Sequence, residues 1–183
     1  MRRVIVSNLM SIDGFFESVN REIDWFTVEE EFMGYAREML ASVDTILFGR
    51  ATYEHMAAHW PKAPRDPIAD KMNSLPKIVF SRTLPEAVWG PVKPVRGDAA
   101  AEVARLKSLP GMDMVVLGSA ALASSLLSAG LIDEYRVIVN PIVLGQGNPL
   151  FQNLRKRIRM QLTGVRRFAS GVVMLSYQPQ LSV

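Results

Sequence analysis

The stretch Met114-Val115-Val116-Leu117-Gly118-Ser119-Ala120-Ala121-Leu122 decides how this chain is read. Its four leading apolar residues are too few for a helix and suit a strand buried on both faces. Gly118 lets the backbone turn, and Ser119–Ala129 continues as a helix of small and apolar residues closed by Gly130. A strand feeding a helix through glycine leaves the first helical N–H groups open at the end of the strand. The same grammar appears twice upstream. Thr45–Phe48 leads into Gly49-Arg50-Ala51-Thr52, and Lys77–Phe80 leads into Ser81-Arg82-Thr83. In an open α/β sheet such strand ends share one edge, where ligands bind. Two of the three turns add an arginine and a threonine hydroxyl, which suit a phosphate monoester. Neither GxGxxG nor GxxxxGK[ST] occurs, so neither the Rossmann fingerprint nor the P-loop applies.

Outward from this stretch, strands alternate with helices. Arg3–Leu9 reads as a strand, and Val28–Val43 as an amphipathic helix opened by a Thr27–Glu30 capping box. A helix follows Arg50 to about His59, Pro61–Pro67 reads as a loop, and Val92–Arg96 as a fourth strand. Asp98 caps a helix running to about Ser108. Beyond Gly130 the texture changes to the strands Glu134–Asn140, Arg157–Val165 and Val172–Tyr177, the last two joined by Ala169-Ser170-Gly171. The expected architecture is a single α/β domain over residues 1–183. Its one mixed, mostly parallel sheet is flanked by helices and ends in antiparallel strands.

Composition narrows the function. The chain has 183 residues, 49% hydrophobic and 21% charged, which is enough apolar material for a substantial core and excludes disorder as its overall state. No apolar run approaches the length of a membrane-spanning helix, and the N-terminus reads as a strand rather than a signal peptide, so a cytoplasmic protein is expected. With no cysteine there is neither a disulfide framework nor thiolate chemistry. The net charge of +3 suits an anionic partner. The basic run Arg155–Arg159 lacks interleaved aromatics, which argues against a nucleic-acid surface.

Other candidates stand beside the strand ends. In Ser11-Ile12-Asp13-Gly14, Asp13 either meets a ligand or holds the turn, and Gly14 permits unusual backbone angles. Trp25 either stacks on a flat ring or belongs to the core. His55 and His59 share a helix face, but no third ligand accompanies them, so no metal is expected. Glu29, Glu30 and Glu31 suit the first turn of a helix. No Ser–His–Asp set supports nucleophilic catalysis.

These residues together resemble the dihydrofolate-reductase-like superfamily, and within it the reductase domain of the riboflavin-biosynthesis deaminase–reductase. The resemblance is carried by Gly118–Leu122, by Ala129-Gly130-Leu131-Ile132-Asp133-Glu134, by Asn140-Pro141-Ile142-Val143-Leu144-Gly145, and more weakly by Ser11–Gly14 and Gly49–Glu54. It implies a three-layer α/β/α fold and an NADPH-dependent reductase. Gly118, Ser119, Ala120, Ala121 and Leu122 would hold the pyrophosphate. Gly49, Arg50, Thr52, Ser81, Arg82 and Thr83 would hold the adenosine end and its 2′-phosphate. Met10 would lie near the nicotinamide and Trp25 would touch the cofactor. Asp13, Gly14 and Phe32 would meet the substrate, with Asp13 as the polar group that orients it or relays a proton.

Two departures bear on the substrate. Riboflavin reductase domains carry a Glu two residues before the glycine matching Gly118, where this chain has Val116. Dihydrofolate reductases carry a carboxylate facing the pocket on the first long helix, where Phe32, Tyr35, Ala36 and Met39 face inward here. The expectation is therefore hydride transfer to a small heterocyclic or carbonyl-like substrate other than the usual ribosylamino-pyrimidine. The alternatives are the usual ribosylamino-pyrimidine phosphate as substrate despite Val116, and a nucleotide-binding or interaction module that has lost catalysis. The resemblance also implies a homodimer, paired through the C-terminal strands, with no nucleic-acid or membrane partner.

Overall fold

A computed structural model describes residues 1–180. An eight-stranded sheet organises it, with the order β5-β4-β3-β6-β1-β7-β10-β9. The strands are β1 (Val4–Ser11), β3 (Val43–Gly49), β4 (Lys77–Phe80), β5 (Val92–Val95), β6 (Asp113–Leu117), β7 (Glu134–Asn140), β9 (Arg159–Arg167) and β10 (Val173–Gln180). From β5 to β7 every pairing is parallel, and β7–β10 and β10–β9 are antiparallel. A small second sheet pairs β2 (Phe15–Glu17) with β8 (Asn148–Pro149). The helices are α1 (Glu30–Ala41), α2 (Arg50–His59), α3 (Pro67–Ser74), α4 (Ala99–Ser108) and α5 (Ala120–Ser128).

Alternation along the strands sorts the core into two layers. Ile46, Phe48, Val79 and Val115 face α1, α2 and α3, where they meet Tyr35, Met39, Tyr53 and Met72. Leu47, Ile78, Met114 and Val116 face α4 and α5, where they meet Val103, Leu106, Ala123 and Leu126. This is the three-layer α/β/α arrangement, with the antiparallel C-terminal strands expected from the sequence.

Several boundaries differ from the sequence reading, each for a local reason. The Thr27–Glu30 capping box does not form. Helix α1 begins at Glu30 behind an uncapped Glu29, and the Thr27 N–H donates instead to Asn140 Oδ1 at 3.4 Å. Val43 belongs to β3, because Ser42 ends the helix by donating its hydroxyl to the Met39 carbonyl. The proline-rich stretch is not wholly a loop: Trp60–Lys62 forms a 3-10 turn, and Pro67 opens α3 behind Asp66, whose carboxylate accepts the Ile68 and Ala69 N–H groups. The outer hairpin runs later than expected, leaving Ile158 outside β9. A register shift at Ser176/Tyr177 inserts one extra residue into β9, so Val165 pairs with Leu175 as Leu162 pairs with Tyr177. Both Leu162 and Val165 are at least half exposed at the sheet edge.

Candidate functional site

Strands β4, β3 and β6 are parallel neighbours, so the three glycine- or serine-terminated ends read from the sequence emerge side by side. Gly49 lies opposite Phe80, the last residue before Ser81. Helices α2 and α5 start from this edge, and neither has a side-chain cap. The first N–H groups of both helices therefore have no acceptor within their helix, and the positive ends of both helix dipoles meet here.

The two turns are locked to each other. The Gly49 N–H donates to Ser119 Oγ at 2.9 Å, and the Ser119 N–H donates to Thr52 Oγ1 at 3.0 Å. Gly118 and Ser119 are both left-handed, with φ of 64° and 54°. A Cβ on Gly118 would lie 2.9 Å from Thr52 Cγ2, so both the close approach and the turn require glycine. Thr52 and Ser119 thus shape the cradle with their hydroxyls, while the open donors are the amides that follow. Ser81 acts similarly in its own turn, accepting the Thr83 and Leu84 N–H groups. Arg82 and Arg50 are exposed at the rim, Arg50 at 4.0 Å from Glu54. Ala121 is exposed, whereas Ala120 and Leu122 pack under α5.

One contributor was not read from the sequence. Phe16 of β2 reaches over Gly118, its ring edge 3.5 Å from where a Cβ would stand. The chain after Gly14 is strapped down: the Ile12 N–H donates to the Ile142 carbonyl, the Leu150 N–H to the Gly14 carbonyl, and Asn148 Nδ2 to Glu17. The only local signal was the Phe15-Phe16 pair behind a glycine, which a strand pattern alone does not assign to a site.

Asp13 sits in this strap. Its carboxylate accepts the Ser11 hydroxyl at 2.7 Å, the Gly145 N–H at 2.8 Å and the Leu144 N–H at 3.1 Å, and these bonds, the Ser11 hydroxyl first, hold it below the usual aspartate range. It joins the loop after β1 to the loop after β7. Gly14, at φ 90°, makes the turn. Met10 is half-buried on the α5 side.

The other wall of the edge is aromatic. Phe32 lies 6.4 Å from Phe26, 6.0 Å from Tyr35 and 6.1 Å from Phe168 between ring centroids. Trp25 precedes it, half-buried, with its indole Nε1 shielded from solvent and without an acceptor among the described residues. A buried indole N–H without an acceptor is uncommon and suits a donor kept for a ligand. The helix-start carboxylates point elsewhere: Glu31 accepts the Ala169 N–H, and Glu29 accepts the N–H and hydroxyl of Ser170, fixing the β9–β10 turn. Val116 is fully buried beneath α5, and β6 ends without a carboxylate. His55 and His59 are exposed, and the described residues contain no group of three metal-ligating side chains.

The fold recurs in known proteins. The chain is 36% identical over 185 residues to the uncharacterized protein YyaP of Bacillus subtilis, covering 96% of this chain and 94% of that one. The structure of a putative riboflavin biosynthesis protein from Shewanella sp. PV-4 superposes with a TM-score of 0.78 at 22% identity, covering 98% and 99% of the two chains. A diaminohydroxyphosphoribosylaminopyrimidine deaminase/5-amino-6-(5-phosphoribosylamino)uracil reductase from Thermotoga maritima gives 0.70 at 18% identity, with 98% of this chain matched to 57% of that one. The dihydrofolate reductase of Enterococcus faecalis, complexed with NADP(H), gives 0.65 at 12% identity over 97% and 96% of the chains, so the fold is dihydrofolate-reductase-like. The model of the RibD C-terminal domain matches residues 2–174, and the chain belongs to that family.

Proposed function

We propose that this protein is an NADPH-dependent reductase of a small, flat heterocyclic or carbonyl-like substrate. The observation that carries the reading is the paired cradle: two uncapped helix starts drawn together by the Gly49–Ser119 and Ser119–Thr52 hydrogen bonds. Open amides at two adjacent dipole ends fit a pyrophosphate. Arg50, Arg82 and Thr83, exposed at the neighbouring rim, fit the 2′-phosphate that separates NADPH from NADH. NADPH, when bound, supplies the hydride. The protein's part is to hold and orient: Gly118 admits the close backbone approach, Phe16 covers the turn, Trp25 keeps an unused donor, and Phe32 with Phe26, their rings tilted by 59°, offers an aromatic wall. Asp13 is a positioning residue in this reading, because its ionised carboxylate already accepts three hydrogen bonds and has no proton to give.

A second reading, a binding module without turnover, is favoured by one observation. Glu29, Glu31 and Asp13, three carboxylates of this region, are engaged within the protein. Fluorescence titration with NADPH and NADH, followed by a screen of electrophilic heterocycles and carbonyls for cofactor oxidation, separates the two. Tighter NADPH binding with turnover of at least one compound supports the reductase. Binding without turnover across the screen favours the module, and absence of binding to either cofactor defeats both. The reading includes a homodimer through the exposed Leu162 and Val165 on edge strand β9, for which light scattering at twice the monomer mass is the expected outcome.

A further inference from the structure

A cavity of about 710 Å³ runs along α5, bounded by the helix, by residues 152–158 and by the end of β10. In the sheet order, β3 and β4 lie on one side of β6, whereas β7 and β10 lie beyond β1 on the other. The cradle and this cavity therefore flank α5 on opposite sides, with Ala121 common to both. Its volume falls in the range of small-molecule sites.

The lining is cationic and polar. Arg155, Lys156 and Arg157 all border it, and among the described residues no carboxylate does. Among the described residues none of the three forms an ion pair, whereas the neighbouring cations Arg2 and Arg3, and Arg105 and Lys107, all do. Asn153 turns left-handed at φ 55° just before them, and among the described residues the backbone N–H groups from Asn153 to Arg157 donate to no protein acceptor. The facing side of α5 presents Ser125 and Ser128. Ser128 donates its hydroxyl to the Ser124 carbonyl, leaving the exposed Ser125 hydroxyl free among the described residues. Three adjacent cations repel one another unless an anion compensates them. The lining holds no aromatic residue on which a nucleobase would stack, so a single nucleic-acid strand fits poorly.

We propose that this cavity is a second anion site, taking a small molecule that carries more than one phosphate. Arg155, Lys156 and Arg157 form its cationic wall, and Ser125 is its hydroxyl donor.

The experiment is calorimetric titration of the whole protein with inorganic tripolyphosphate, with thermal melts of each variant to establish folding. Saturable binding to the wild type is expected, retained in Arg50→Ala/Arg82→Ala, which removes the cleft cations. It weakens by about tenfold or more in Arg155→Ala/Lys156→Ala/Arg157→Ala. Ser125→Trp, which fills the cavity at constant charge, weakens it similarly. The proposal is overturned by loss of binding in the Arg50/Arg82 variant alone, since the anion then sits in the cleft. Undiminished binding to Ser125→Trp overturns it too, since the cations then act as an open surface. Tighter binding of an unstructured oligonucleotide to the same three cations would make the face a nucleic-acid surface and end the proposal. The NADPH titration of the Arg155/Lys156/Arg157 variant should match the wild type, so this site and the cleft fail or stand separately.

Discussion

Where the parallel strands begin, the buried cations Arg2 and Lys107 are matched to carboxylates; where the strands end, donors are left open. At the first edge Arg2, nearly buried, donates to Asp44, Thr45 and the Met112 carbonyl, and Asp44 accepts the Met112 N–H. Lys107 pairs there with Asp133, which also accepts the Val4 N–H, and Arg3 pairs with Glu134. These bonds staple β1, β3, β6 and β7 at their starts. At the second edge Gly49, Gly118 and Ser119 leave two helix starts uncapped. One edge is closed chemically and gives rigidity, so the other can remain unsatisfied and receptive. In the proposed reading, stability and binding fall at opposite ends of the same strands.

The largest effect should come from unfastening the closed edge. Arg2→Met removes the guanidinium bonds to Asp44, Thr45 and the Met112 carbonyl together and should destabilise the protein by about 3 kcal/mol. Urea unfolding measures this, and NADPH affinity of the folded fraction should stay unchanged. A fall in affinity would mean the two edges are coupled. Next, Gly118→Ala places a methyl against Thr52 at a positive φ. It should weaken NADPH about a hundredfold by fluorescence titration and lower stability by about 1 kcal/mol. Unchanged affinity would show that the cradle is not the pyrophosphate site.

A third test uses the one buried cation of the closed edge that has no carboxylate. Lys77, at the start of β4, donates to the Leu75 carbonyl and lies 4.4 Å from the Trp89 ring centroid, and burial pulls its pKa down to about 8. The folded state therefore holds its proton less firmly than the unfolded chain. Stability should rise as pH climbs from about 8 toward the unfolded lysine value near 10, because the unfolded state binds more protons there. Lys77→Met should flatten that rise in urea midpoints measured across this window. The smallest effect belongs to the exposed rim: Arg50→Ala/Arg82→Ala should weaken NADPH about tenfold relative to NADH, with an unchanged melting temperature. Equal weakening of both cofactors would remove the 2′-phosphate from that rim.

Much of this was legible from residue order alone. Glu134–Asn140 has the boundaries expected of it, because a short apolar run between polar residues marks a strand locally. The three strand ends at Gly49, Ser81 and Gly118 are local too: a buried strand stops where a small residue turns the chain. Asp98 caps α4 as its position before that helix suggests. The Thr27–Glu30 box failed because capping competes with partners that are remote in sequence, and Asn140 took the Thr27 N–H. The fates of Glu29 and Glu31 were equally hidden, since their acceptor oxygens are claimed by a turn well over a hundred residues away.

Steric freedom and hydrophobic period act over a few residues, so most elements, the two-faced strands and the places where backbone must turn are written in residue order, whereas β2, β8 and α3 are not. Which groups those turns bring together is settled by folding. It set Ser119 on Gly49 and Thr52 on Ser119, bent Phe16 over Gly118, tied Asp13 to Leu144 and Gly145, and stapled one edge of the sheet with Arg2 and Lys107. Hydrogen bonds and ion pairs are short-ranged in space but indifferent to separation along the chain, so only folding reveals which donor finds which acceptor.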